Sequence, residues 1–385
     1  MVKKEIEERE KTKPNTKTKK LHGEIVFQEQ QEKITLDLKD KKILAVLARN
    51  SRTPFTTIGK VVGLSSENVL YRIQRLKEQQ IIVDFFTAID SRKLGILSFV
   101  VFIKFSKISK EKQELLINSF LRNDHISWLT TTAGQFDLMI FVQVMNIYEF
   151  EIEWQNILKE YGQNFSETDI GIMTEYGHRP AYYPIADCKE ALHLAEKSYS
   201  LPYQKEIQHA REKKAKQKQQ EQEQALFDTK DLAILKTLLL NSRVKLTELA
   251  KEMGMSSQNV DFRIKQLIKQ GIITFFGYRP NYQKLKYQYY TIRLKVGAVE
   301  QEKREKISHF VLSLPHILFY FRMIGHWTFS FHMFFKDVRE LNDFLSTLRE
   351  KFGDIIESYD STIHLDQYYY TYISRSSYAA LMKKQ

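Results

Sequence analysis

The chain is written twice at one fixed offset. Asp37, Asp40, Ile43, Leu44, Leu47, Asn50, Ser51 and Arg52 return as Asp228, Asp231, Ile234, Leu235, Leu238, Asn241, Ser242 and Arg243 (228 − 37 = 191). The same offset links Gly63 to Gly254, Ser65 to Ser256, Arg72 to Arg263, Leu94 to Leu285, Gly134 to Gly325 and Gly162 to Gly353. Between Leu36–Ile82 and Phe227–Ile273 roughly 22 of about 47 positions are identical without a gap. A period near 190 residues is too long for a solenoid unit. It describes a duplicated two-domain module, so one chain is expected to do what otherwise takes a dimer.

Length and patterning divide the chain into a charged arm (1–33), a helix-turn-helix domain (34–84), a ferredoxin-like domain (85–184), a charged helical linker (185–225), a second helix-turn-helix domain (226–275) and a second ferredoxin-like domain with a tail (276–385). The linker reaches easily: roughly 40 residues span about 60 Å as helix. A net charge of +12 and a pI near 9.3 suit a polyanionic partner such as double-stranded DNA. No run of about 18 apolar residues marks a membrane span. The single cysteine, Cys188, fits a reducing, cytoplasmic setting. No Cys/His cluster has metal-ligand spacing and no phosphate loop or nucleophile motif occurs, so no cofactor, no metal and no enzymatic activity are expected.

The first 50 residues of each module read as three helices. Asp37 is an N-cap with Asp40 at the third helical position, and Ile43, Leu44 and Leu47 form one apolar face. A short helix is expected from Thr56 or Thr57 to Gly63. Ser65 then caps a third helix with Val69, Ile73 and Leu76 buried. This is a helix-turn-helix of winged-helix type, whose second helix would enter the major groove. The DNA-facing candidates are Ser65, Ser66, Asn68, Tyr71, Arg72 and Arg75, and in the second copy Ser256, Ser257, Gln258, Asn259, Arg263 and Lys265. Asn can pair with adenine and Arg with guanine, while a helix N-terminus attracts phosphate. Arg72 and Arg263 could instead pair with Asp37 or Asp40 and their copies, and Tyr71 and Phe262 could be core. Arg75 becomes Gln266 and Leu70 becomes Asp261, so the second head is expected to bind more weakly or to prefer another sequence.

The next 90 residues alternate strands and helices: Ser98–Ser106, Lys110–Arg122, Ile126–Ala133, Phe136–Val144, Ile147–Tyr161 and Phe165–Glu175, with the copies Tyr287–Val296, Val299–Ser313, Ile317–Ile324, Trp327–Phe335, Val338–Lys351 and Ile355–Tyr368. The order β-α-β-β-α-β predicts two ferredoxin-like domains, each a four-stranded antiparallel sheet with helices on one face, and an α+β class overall. Of the aromatic row, Tyr287, Tyr289, Tyr290, Phe319, Tyr320, Phe321, Phe329 and Phe331 are expected to pack sheet faces against a partner domain. His178, His326, His332 and His364 lack an evident catalytic partner.

The pattern Leu36-Asp37-x-x-Asp40-x-x-Ile43-Leu44, Asn50-Ser51-Arg52, Gly63-Leu64-Ser65, Val69-x-x-Arg72-Ile73-x-x-Leu76 and Ile81-Ile82 resembles the Lrp/AsnC family of transcriptional regulators, and Gly134-Gln135-Phe136-Asp137 resembles that family's regulatory-domain turn. The resemblance implies DNA-binding dimers, self-association beyond the dimer, and a small effector such as an amino acid, with Gly134 and Asp137 at its pocket. The second copy reads Gly325-His326-Trp327-Thr328, so the acid is absent there. The architecture also resembles siroheme decarboxylase, a tetrapyrrole enzyme. Such an enzyme needs clustered His and Arg, and only His178-Arg179 are adjacent. A ligand sensor that has lost DNA binding is a third alternative.

Overall fold

A computed structural model describes residues 35–196, 201–203, 205–207, 210, 226–297 and 301–384. The expected N-terminal arm and the basic linker segment 211–225 lie outside the described residues. The first head consists of α1 (Leu38–Arg49), α2 (Phe55–Val62) and α3 (Ser66–Glu78). The second consists of α7 (Thr229–Leu240), α8 (Leu246–Met253) and α9 (Ser257–Lys269). Both capping boxes form: Asp37 and Asp228 accept the backbone N–H of Asp40 and Asp231, whose carboxylates reach back to the cap N–H. The second helix begins at Phe55 behind Pro54, one residue before the expected threonine, because proline presets the entry geometry. It ends at Gly63, which takes φ 70°, as Gly254 takes φ 61°.

Each head leads into a strand absent from the expected element list, β1 (Ile82–Ile89) and β6 (Ile273–Pro280). They pair antiparallel as a two-stranded ribbon in which Phe86 lies opposite Gly277, its own copy (277 − 86 = 191). The ribbon therefore straddles a pseudo-twofold axis. It also crosses the modules over. The end of β1 packs into the second head's core beside Leu235 and Ile264, while Tyr278 of β6 packs into the first head's core.

The regulatory elements follow the expected ranges closely: β2 (Leu97–Phe105), α4 (Lys110–Arg122), β3 (Ile126–Ala133), β4 (Leu138–Val144), α5 (Ile147–Tyr161) and β5 (Phe165–His178) in the first copy. The second has β7 (Gln288–Val296), α10 (Gln301–Ser313), β8 (Ile317–Ile324), β9 (Phe329–Phe335), α11 (Val338–Phe352) and β10 (Ile356–Tyr370). Two further helices, α6 (Lys189–Glu196) and α12 (Arg375–Lys384), follow the last strands. Ala191 and Ala195 of α6 enter the first head's core, and Leu381 of α12 enters the second's.

Both expected four-stranded antiparallel sheets form, in the orders β3-β4-β2-β5 and β8-β9-β7-β10. The two sheets close into one eight-stranded barrel in the order β10-β3-β4-β2-β5-β8-β9-β7. The seams are β5–β8, with His178 opposite Phe319, and β10–β3, with Tyr370 opposite Trp128. Closure satisfies all four edges that two open sheets would leave bare. Strand alternation then sorts the aromatic row. Tyr287, Tyr289, Phe319 and Phe321 point into the barrel. Tyr290, Tyr320, Phe329 and Phe331 point outward under α10 and α11. The seams differ: β10 has two register shifts against β3 where β5 has one against β8.

Candidate nucleic-acid interface and the barrel interior

Ser65 and Ser256 cap the two recognition helices, each accepting the N–H three residues on, from Asn68 and Asn259, at 3.2 Å. Asn68, Gln258 and Asn259 are exposed, as are Ser65 and Ser256, while Ser66 and Ser257 are half-buried. Ser66 bonds to Glu67 at 3.0 Å. Tyr71 is 63% exposed and Phe262 59%, which removes the core alternative for both. Large aromatic rings held in water on a recognition helix are available to a groove.

The arginines are placed otherwise. Arg72 bridges Asp37 at 2.7 Å and Asp40 at 2.8 Å, and Arg75 reaches Asp40 at 2.5 Å. Arg263 repeats this on Asp228 and Asp231 at 2.9 and 2.8 Å. These bonds raise the affinity of Arg72 for its proton and lower that of Asp37. The aspartates that cap the first helix thus anchor the third. Lys265 is exposed but pairs with Asp261 at 2.7 Å, and Asp261 also accepts from Tyr203 at 2.8 Å. In the first copy Ser65, Asn68 and Tyr71 are therefore open to solvent, Ser66 is half-buried, and Arg72 and Arg75 turn back to the head.

The heads are locked together across the axis. The Ser51 and Ser242 hydroxyls meet at 2.6 Å. Arg52 donates to the Ser242 and Val244 carbonyls at 2.5 and 3.2 Å. Arg243 donates to the Ser51 carbonyl and, at 3.1 Å, to the Thr53 carbonyl. Burial, with Arg52 nearby, brings the Arg243 guanidinium down to about 10.

The effector pair behaves as structure. Gly134 takes φ 146°, and a Cβ there would meet the Thr362 hydroxyl of the other module at 3.2 Å. Gly325 takes φ 148° and a Cβ would meet the Ile170 carbonyl at 2.8 Å. Both turns are glycine because the opposite module's last strand presses on them. Asp137 gives one oxygen to Lys104 at 2.8 Å and the other to the Phe105 N–H at 2.8 Å. Its copy Thr328 accepts from Val296 N–H, the equivalent amide, at 3.1 Å. The acid-to-threonine change preserves that bond, so the shared task of the position is to hold the turn to its strand.

Matches to known proteins follow the same division. Residues 36–77 match the AsnC-type helix-turn-helix domain, and residues 227–274 match a winged helix-turn-helix DNA-binding domain. The transcriptional regulator Ptr1 of Methanocaldococcus jannaschii is 33% identical over 112 residues, which is 29% of this chain and 74% of Ptr1. The chain belongs to the Lrp/AsnC family. The regulator FL11 of Pyrococcus horikoshii is 28% identical over 117 residues, covering 30% of this chain and 76% of its own. Such relatives are about one module long, so this family member carries the family's unit twice. The siroheme decarboxylase NirDL superposes with a TM-score of 0.55 over 90% of this chain and 99% of its own, at 13% identity. That likeness establishes a shared two-module fold.

One grouping escaped the sequence. His178 at the end of β5 and Arg279 of β6 line one cavity, although 101 residues and a module boundary separate them (279 − 178 = 101). His178 stacks on Phe86 at 5.0 Å, and Arg279 lies over the same ring at 5.5 Å. Only the ribbon crossing brings them together, and no spacing rule signals it. Farther in, His332 bonds Tyr289 at 2.7 Å and His364 bonds Thr291 at 2.7 Å, with Trp128 stacked on His364 at 5.5 Å. Among the described residues no His/Cys/Asp/Glu group could hold a metal, and no helix is long and apolar enough to cross a membrane.

Proposed function

We propose that this Lrp/AsnC protein is a sequence-specific DNA-binding transcriptional regulator, acting in the cytoplasm as a pseudo-dimer within one chain. The observation that carries the reading is the pair of serine-capped recognition helices presenting Asn68 and Tyr71 on one head and Asn259 and Phe262 on the other, joined by the reciprocal Arg52/Arg243 clasp. A capped N-terminus supplies amide donors to phosphate, and Asn supplies a bidentate adenine contact. The heads differ at the exposed pair Tyr71/Phe262 and at Leu70/Asp261, so the favoured site is asymmetric. Selection from random duplexes at stated salt, followed by gel shift, tests this. One chain per site and two unlike half-sites are expected. A perfect palindrome or no enrichment would overturn the reading.

The His178–Arg279 pair favours a second reading, a decarboxylase acting on an acidic tetrapyrrole, because such chemistry needs a cation and a proton carrier at one place. Against it, Arg279 is the one lysine or arginine among the described residues that line this cavity, whereas a tetrapyrrole of this kind carries several carboxylates. Titration with siroheme decides the matter: an unchanged absorbance spectrum dismisses this reading.

A further inference from the structure

Two adjoining cavities lie where the ribbon meets the barrel, parted by Phe319, Tyr370 and Tyr372. They are copies of one another. Ser98, Ser127 and Gln143 line the first, and their counterparts Tyr289, Leu318 and Phe334 line the second. The chemistry is not copied. At the second cavity Thr87 and Ala88 are replaced by Tyr278 and Arg279, and His178 stands opposite Phe319 where Tyr370 stands opposite Trp128.

At the second cavity some buried polar atoms lack a partner. Asp84 takes the Arg279 Nε at 3.2 Å, and the terminal guanidinium nitrogens make no hydrogen bond among the described residues. The Tyr278 hydroxyl and His178 Nε2 are buried with no partner. His178 Nδ1 bonds the Tyr372 hydroxyl. Burial beside Arg279 keeps the imidazole neutral. Tyr372 donating to Nδ1 would leave the His178 proton on Nε2. Buried polar atoms left without a partner are costly unless a bound group satisfies them. The space, about 40 Å³ for water centres, holds roughly three waters or an acid of a few carbons.

We propose that this cavity binds one small organic carboxylate per chain, held by Arg279 and His178. The site deepens the regulator reading and rests on it for its consequence, since the cavity wall is β6, half of the ribbon from which both heads hang. Occupancy that stiffens the ribbon changes DNA affinity, and DNA changes carboxylate affinity by the same factor.

Calorimetric titration of the full chain with sodium acetate and sodium pyruvate, at fixed ionic strength with acetamide as the uncharged control, tests the site. One saturable site per chain is expected for at least one acid and none for acetamide. Arg279→Met is expected to weaken binding at least tenfold. His178→Phe keeps a ring stacked on Phe86 and removes the unpartnered Nε2, and is expected to weaken binding several-fold, which reads the site even where the arginine variant fails to fold. Two sites per chain, equal binding of acetamide, full affinity in His178→Phe, or no binding of either acid overturns the proposal. Gel shifts without acid test the regulator reading alone: their failure sinks that reading and leaves the carboxylate site standing.

Discussion

Ser51 and Ser242, the same position in the two copies, share a hydrogen bond of 2.6 Å. A residue can bond its own copy only on the twofold axis, so this contact fixes where the axis passes through the heads. Arg52 and Arg243 flank it, each donating to two carbonyls of the other module. Arg243 also lies over Phe55 at 4.5 Å and Arg52 over Phe276 at 5.6 Å. Removing either arginine leaves two carbonyls without a donor, at about 1–3 kcal/mol each. Arg243→Ala should therefore lower stability by about 2–5 kcal/mol in urea melts. The double variant with Arg52→Ala should fall short of additivity, because the first loss already loosens the clasp. Strict additivity would mean the two arms act independently.

Phe86 and Gly277 show why the copies had to diverge on the axis. They face each other in the ribbon, and a Cβ on Gly277 would lie 2.9 Å from the Phe86 ring and 2.8 Å from Phe275. Two phenylalanines cannot occupy one axial site. Gly277→Ala is expected to cost about 1–3 kcal/mol by overpacking. Pairing it with Phe86→Leu should recover part of that loss, and denaturation curves of the three variants would reveal the coupling. Equal stability of Gly277→Ala and wild type would sink the account.

Arg293 and Phe102 make the same point inside the barrel. They are copies, and the guanidinium sits 4.3 Å over the Phe102 ring, fully buried, with Asp360 at 2.5 Å. Two arginines there would repel, and two phenylalanines would leave Asp169 and Asp360 unpaired. The duplication was legible in the sequence because core, cap and turn residues kept their spacing, and the strand ranges followed from alternation. The ribbon and the barrel seams were not legible. Their pairing partners belong to different modules, and an alternating strand reads the same at an open edge as at a closed seam. The ion pairs of Arg72 and Arg263 were one of two readings open to the sequence, since an arginine on a recognition helix serves DNA or the head's own acids equally well. The His178–Arg279 cavity depended on the ribbon and was hidden with it.

His332 and His364 make the barrel acid-sensitive. Burial holds both imidazoles neutral, His364 down to about 3 and His332 well below its ordinary range. The unfolded chain takes up these protons near 6.5, so it gains on the native state as pH falls. Stability is complete above about pH 6.5 and is lost progressively towards pH 3. At pH 4.5, His364 alone accounts for about 3 kcal/mol. The first copy carries Phe141 and Met173 at these positions. His332→Phe with His364→Met should flatten the slope of stability against pH between 6.5 and 4.5, whatever it costs at pH 7 through the orphaned Tyr289 and Thr291 hydroxyls. An unchanged slope would place the acid sensitivity elsewhere.

Asn68 and Arg72 lie four residues apart on one helix but should fail differently when replaced. Asn68 is exposed and its side chain is free to reach a base edge, so Asn68→Ala is expected to weaken specific DNA binding by about 1–3 kcal/mol without moving the melting temperature. Arg72 holds Asp40, which is 1% exposed, and Arg72→Ala leaves that carboxylate with Arg75 alone. It should destabilise the first head by about 3 kcal/mol. The slope of DNA affinity against salt should then change by less than one phosphate contact would require. Gel shifts across a salt series, with melting curves on the same preparations, separate the two outcomes. Full DNA affinity in Asn68→Ala, together with a salt slope reduced by a whole contact in a stable Arg72→Ala, would reverse the assignment.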